Sequence, residues 1–364
     1  MKFTNVFFVT AFLIVSGLSV SGQEKKLSVD NYIKTEIKKK HIPGAAVAVL
    51  RNGKVEMMNG YGLANIEQNK PVTPNTEFQI GSTTKPFTAM AIMLLVEDGK
   101  ILIDEKASKY LVWLPEIYRD ITVRQLLTHT SGVRSDLRTA NVDNFSLSEF
   151  KKRLATAPAS FKTGEKWEYA NTGYILLGMI LEAVTGKSYG EFLEESIFKP
   201  LGMNNTKYNE PTGSLKNGAI GYDWQDDIYQ PSPYFAGGYS AGAISSSLTD
   251  LAKWEQALTK RKLLKQSSYE QIWTPISFNN GRNSFDFRGE LTGYGFGWFL
   301  TSYKGHKLFT HSGTVSGFSS AIYRFVDDKV TFIVITNSKA GADRIGYAEV
   351  LGRGIADIYF PAKK

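Results

Sequence analysis

Read for the alternation of apolar and polar positions, the chain shows strand-like runs at both ends and helical periodicity between them. Residues 43–50 and 55–62 are two such runs, joined by Arg51-Asn52-Gly53-Lys54. Asn-Gly between two apolar runs predicts a hairpin. The small residues of the first run suit a central, closely packed strand. Before it, residues 29–37 are amphipathic and close on Lys38-Lys39-Lys40, which suits the last turn of a helix. Residues 89–96 are apolar nearly all round, so the helix they form is a buried one. Ser82 stands ahead of that helix in a capping position, and Gly99 is its stop.

From Ile101 to Phe235 the pattern is mostly helical. A short element is expected at 104–107 and another at 122–129. Ser146 with Glu149 resembles a capping box, residues 173–185 form a helix stopped by Gly186, and 189–198 form another. Residues 204–235 read as loop. Residues 237–246 read as a small-residue strand, and Ser247-Leu248-Thr249-Asp250 reads as a capping box that opens a helix to Leu258. Strands follow at 293–300, 307–313, 318–325 and 330–337, with a turn at Asp327-Asp328, and a helix at 342–358 closes the chain. The order predicts an α+β fold, an α/β sandwich. Its antiparallel sheet draws strands from both chain ends and is flanked by helices, with a mostly helical block inserted. The sheet part is expected at about 23–80 and 237–364, the helical part at about 81–236. No internal repeat is visible.

Composition changes this picture in two ways. The 364 residues hold no cysteine, which excludes disulfides, thiolate metal sites and a cysteine nucleophile. Residues 1–22 have the form of a secretory signal. Lys2 supplies the positive start, residues 6–15 are apolar, and small residues at 18–22 offer a cleavage site. The mature domain is then expected to begin at Gln23 and to be exported, periplasmic or secreted, without a membrane span. The net charge of +8 is dispersed and no nucleic-acid motif accompanies it.

Three stretches carry chemistry. Ser82 and Lys85 are three apart, so they share one helix face about a turn apart. A desolvated lysine near positive charge loses proton affinity and can serve as the base for a serine nucleophile. A tyrosine such as Tyr169, in Trp167-Glu168-Tyr169-Ala170-Asn171, can relay a proton, and Asn171 can bridge a lysine and a substrate carbonyl. In the other reading of this stretch, Asn171 caps a helix and Tyr169 fills core space. In Thr310-His311-Ser312-Gly313-Thr314, small residues on a strand allow a substrate backbone to approach. His129, in Leu126-Leu127-Thr128-His129-Thr130-Ser131-Gly132, reads as a structural histidine bonding across a turn.

Ser82-x-x-Lys85, Tyr169-x-Asn171 and His311-x-Gly313, in that order, resemble the signatures of serine β-lactamases and penicillin-binding proteins of the class C type. That group also contains D-aminopeptidases and esterases. The resemblance extends from about Leu27 to Ile358 and includes residues 43–47, 126–132 and 313–318. It implies a β-lactamase/transpeptidase-like fold. Ser82 attacks a carbonyl and becomes acylated, Lys85 and Tyr169 share the proton transfers, and Asn171 orients lysine and substrate. The backbone N–H groups of Ser82 and Thr314 form the oxyanion hole, and the strand of His311 and Gly313 aligns the substrate. No metal or organic cofactor is implied, and the partner it implies is a small-molecule or peptide substrate, with cell-wall fragments among the candidates. The third signature begins with lysine in class C β-lactamases and with His311 here. That departure moves the expectation toward a hydrolase of D-amino-acid peptides, amides or esters. A true β-lactamase or D,D-carboxypeptidase and a non-turnover penicillin-binding sensor are the alternatives. Loops 204–235 and 276–292 are expected to shape substrate choice.

Overall fold

The computed structural model describes residues 7–135, 137, 146–209, 215, 218–235, 237–287, 290–340 and 345–361, with backbone alone at 7–21 and at Leu291. A helix, α1 (Phe7–Lys39), leads into β1 (Gly44–Arg51) and β2 (Lys54–Asn65). Asn52 and Gly53 join these strands with φ of 51° and 70°, the left-handed pair that a two-residue hairpin turn requires. The short strands β3 (Lys70–Pro71) and β4 (Glu77–Gln79) come next. The helical block holds α2 (Lys85–Glu97), α3 (Val123–Leu127), α4 (Leu147–Thr156), α5 (Asn171–Thr185), α6 (Tyr189–Leu193) and the single turn α7 (Lys199–Leu201). Then come β5 (Lys207–Tyr208), β6 (Tyr222–Gln225), β7 (Ile228–Pro231), β8 (Ile244–Ser247), α8 (Leu248–Thr259) and α9 (Gln266–Ile272). The last part is β9 (Phe285–Phe287), β10 (Glu290–Tyr294), β11 (Phe299–Tyr303), β12 (His306–Val315), β13 (Phe318–Phe325), β14 (Val330–Thr336) and α10 (Tyr347–Tyr359).

The main sheet has nine strands in the order β3-β2-β1-β14-β13-β12-β11-β10-β9. Its centre joins the two chain ends: Val47 of β1 lies opposite Asn59 of β2 and Val334 of β14. Alternate residues face opposite ways. Val47, Val49, Phe332 and Val334 pack on Val29 and Ile33 of α1 and on Leu351 and Ile355 of α10. Ala46, Ala48, Ile333 and Ile335 belong to a second core shared with α2, α5 and α8. Both faces of β13 and β14 are buried, which is why those strands read as continuous apolar runs. No helix among the described residues is long and apolar enough to cross a membrane.

Several expectations change. Residues 237–246 do not form one strand. Gly238 and Tyr239 have φ of 95° and 42°, which turns the chain through a 3-10 turn at Tyr239–Ala241 before β8 begins. β8 then joins β4 and β5 in a separate three-stranded sheet. The stretch read as loop contains β5 and the hairpin β6–β7, turned at Asp226 and Asp227, both with positive φ. The strand expected at 293–300 is two strands, β10 and β11, that pair with each other. The closing helix begins at Tyr347; residues 342–344 lie outside the described part. Ser146 and Ser247 do accept from the backbone N–H three residues on, but Glu149 bonds Arg153 and Asp250 bonds Asn205 N–H and Lys253 instead of closing the capping boxes.

Candidate active site

Ser82 lies in a 3-10 turn, Gly81–Thr84, between β4 and α2. Its side chain caps neither element, contrary to the expectation, because α2 starts only at Lys85. The turn is fastened from both sides. Ser320 Oγ of β13 donates to Ile80 O at 2.6 Å, so the hydroxyl of Thr83 donates to Ser320 Oγ at 2.7 Å. Thr84 Oγ1 accepts from Ile244 N–H of β8 at 3.1 Å.

Lys85 is fully buried. Its Nζ is 3.2 Å from Ser82 Oγ, 2.9 Å from Asn171 Oδ1 and 2.8 Å from Ala241 O. It also stands 4.6 Å from the ring centroid of Tyr169 and 5.5 Å from that of Tyr174, within cation–π range. Asn171 is the first residue of α5 and makes no capping bond, so its side chain is committed to Lys85. Ala241 enters through the 3-10 turn that Gly238 and Tyr239 create. Nothing in the sequence pattern marked it, since a backbone carbonyl carries no residue signature.

Tyr169 lies between two backbone bonds to one residue. Glu168 N–H donates to His129 O at 3.1 Å, and Ala170 N–H donates to His129 Nδ1 at 3.1 Å. His129 thus bonds across its own turn, its N–H donating to Leu126 O at 3.4 Å, and its carbonyl and ring also hold a segment about forty residues away in the chain.

β12 pairs with β13 up to Val315 but with β11 only up to Thr310. The far edge, from His311 onward, faces the Ser82 turn. A Cβ on Gly313 would lie 2.0 Å from Ile80 O and 2.7 Å from Ser82 N, and a Cβ on Gly81 would lie 3.0 Å from Thr314 N. The backbone N–H groups of Ser82 and Thr314 therefore flank one tight contact that only glycines permit.

His311 is buried and 1% exposed. Its Nδ1–H donates to Ser312 O at 2.8 Å, which leaves Nε2 to accept from the hydroxyl of Tyr294 at 3.3 Å. Burial, and then the Lys85 charge, push its pKa down to about 3, so the imidazole is neutral. A cavity of about 390 Å³ opens over this edge. Ser82, Tyr169 and Thr314 line it, with Phe287 and Phe299 as an apolar wall and Glu349 and Arg353 of α10 beside them. Loop residues 276–284 are not among its lining, whereas Phe287, Glu290 and Thr292 are. Among the described residues, no group of three or more His, Cys, Asp or Glu side chains is arranged to hold a metal ion.

The arrangement places a serine hydroxyl beside a buried amine, with a phenol ring near that amine and the backbone nitrogens of Ser82 and Thr314 close to the same tight contact; acyl transfer uses groups of these kinds. The profile of the family described as "Beta-lactamase" matches residues 29–353. Penicillin-binding protein 4* of Bacillus subtilis (strain 168) is 30% identical over 339 residues, covering 87% of this chain and 73% of that protein. Protein flp of Staphylococcus aureus (strain N315) is 30% identical over 327 residues, covering 86% of this chain and 63% of that longer protein. The structure of the octameric penicillin-binding protein homologue from Pyrococcus abyssi superposes with a TM-score of 0.76 at 29% identity, covering 91% of this chain and 76% of that one. By sequence profile, relatives and fold, the chain belongs to the beta-lactamase family.

Proposed function

We propose that the protein is an exported serine hydrolase that works through an acyl-enzyme on an amide or ester, its substrate a D-amino-acid-containing peptide or a small ester. One observation carries this reading: Lys85 Nζ sits among Ser82 Oγ, Asn171 Oδ1 and Ala241 O. In the reacting form Lys85 gives up its extra proton and gains a lone pair, while Asn171 Oδ1 and Ala241 O hold the amine beside the hydroxyl of Ser82. Ser82 gives its proton to Lys85 as its oxygen bonds the substrate carbonyl carbon. The oxyanion formed takes hydrogen bonds from Ser82 N–H and Thr314 N–H. Collapse expels the leaving group, which receives its proton through Lys85 and Tyr169. Water then attacks the acyl-Ser82 by the same steps in reverse.

The neutral, buried His311 supports an amide or ester substrate without a carboxylate at that position, since it offers no positive charge there. A second reading is favoured by the names of two similar proteins, both described as penicillin-binding. Under it the chain is a β-lactamase, a D,D-carboxypeptidase, or a sensor that is acylated without turnover.

Intact mass after exposure to a fluorophosphonate, p-nitrophenyl acetate and a penicillin separates these readings, with Ser82→Ala alongside. Phosphonate labelling of the wild type but not the variant, with ester turnover and little penicillin adduct, is the expected result. Rapid penicillin turnover would move the assignment to β-lactamase, and a lasting penicillin adduct to the sensor. No adduct from any agent on folded protein would end the hydrolase reading.

A further inference from the structure

His129 has a geometry that packing alone does not explain. Its φ is 59°, in the left-handed region that non-glycine residues rarely occupy. It is 1% exposed and ringed by aromatics, with centroids of Tyr169, Tyr294 and Tyr174 at 4.5, 4.8 and 5.1 Å. Nδ1 accepts from Ala170 N–H, so in the neutral ring the proton belongs to Nε2. Nε2 finds no hydrogen-bond partner among the described residues. An apolar side chain would fill this place without stranding a buried donor. What the imidazole adds is the acceptor at Nδ1.

We propose that His129 is a positioning residue that holds Tyr169 and Asn171 in register with Lys85. Its carbonyl takes Glu168 N–H and its ring takes Ala170 N–H, so the backbone is held on both sides of Tyr169. Asn171, the partner of Lys85, follows directly. The left-handed backbone at 129 brings carbonyl and ring to the same segment. The clamp requires an unprotonated Nδ1, because a proton there would oppose Ala170 N–H. The titratable groups that face the ring are Lys85 of α2, Tyr174 of α5, Tyr294 of β10, His311 of β12 and Tyr169 itself. Burial and the Lys85 charge both oppose protonation. The inference rests on the hydrolase reading for its consequence, not for its geometry.

The test compares His129→Asn, His129→Gly and His129→Leu. Asparagine tolerates the left-handed backbone and places Oδ1 where Nδ1 was. Glycine tolerates the backbone but offers no acceptor, and leucine fills the volume without one. The asparagine variant is expected to keep the wild-type rate of fluorophosphonate labelling at Ser82 within about fivefold, while the other two lose about a hundredfold, the scale of a misplacement near one ångström. Hydrogen exchange at Ala170 N–H is read on the same proteins: slow in wild type and asparagine, fast in glycine and leucine. Equal labelling by the leucine and wild-type proteins, or fast exchange at Ala170 in wild type, would overturn the proposal. If wild type exchanges slowly at Ala170 yet takes no label, the hydrolase reading falls and the clamp stands.

Discussion

A methyl group on Gly313 would stand 2.7 Å from the backbone nitrogen of Ser82 and 2.0 Å from the carbonyl oxygen of Ile80. The partners are backbone atoms, so neither moves aside as a flexible side chain would. Gly313→Ala is therefore expected to push β12 away from the Ser82 turn. Fluorophosphonate labelling of Ser82 should fall about a hundredfold or more, the loss typical of a displaced oxyanion donor. Urea unfolding should show about 1–3 kcal/mol of destabilisation from overpacking. Wild-type labelling by the alanine variant would mean that this contact has no part in the chemistry.

Lys85→Met keeps the unbranched side chain up to the ε position and removes the amine. Labelling of Ser82 is expected to drop by about a hundredfold to ten-thousandfold, the range of a lost general base. Asn171 Oδ1 and Ala241 O would each lose a donor. Stability should fall by about 1–3 kcal/mol for acceptors left unpaired in the interior. Circular dichroism and urea unfolding check that the fold survives.

The buried histidines give the fold a pH dependence of known sign. His311 is lowered to about 3 and His129 well below its ordinary value, in both cases by burial first and the Lys85 charge next. In the unfolded chain both titrate near 6.5. Below that value the unfolded state binds more protons than the folded one, so stability is full above about pH 6.5 and falls as the pH drops toward 3. The unfolding temperature is expected to fall by several degrees between pH 7 and about pH 4.5, and His311→Gln should flatten the slope. A slope unchanged in that variant would count against a neutral His311.

Arg324 of β13 and Glu255 of α8 form a buried ion pair, Nε to Oε2 at 2.7 Å, with Thr331 at 3.4 Å from the same oxygen. The Arg324 guanidinium also lies 4.9 Å from the centroid of Trp273. Burial raises the Glu255 pKa despite that partner. Glu255→Leu alone should cost about 3–5 kcal/mol, because it strands the guanidinium, and Arg324→Met added to it should recover most of the loss. Denaturant titration of the two single variants and the double variant decides this.

The broad plan of the fold was legible because apolar periodicity and Asn52-Gly53 state it directly. So were the side chains that meet around Lys85, since serine, tyrosine and asparagine carry their chemistry in their own atoms. Ala241 was not legible, because its contribution is a carbonyl aimed by the backbone. The same turn hid β8: small residues at 237–246 read as a strand, and only φ at Gly238 and Tyr239 reveals the bend. The hairpin β6–β7 was hidden by shortness, four residues a strand around Asp226-Asp227. His129 reads as structural, but its partner Ala170 leaves no mark in the local sequence.

The pairing of β1 with β14 also sets an order of events in time. Ala45 is among the first residues of the sheet, and its neighbour Thr336 is among the last. The central strand therefore lacks one of its two partners until residues 330–336 have been synthesised. Non-local pairing of this kind delays folding. Loss of β14 and α10 would deprive β1 of a partner and α1 of its packing surface, so a late truncation is expected to act on the whole sheet at once.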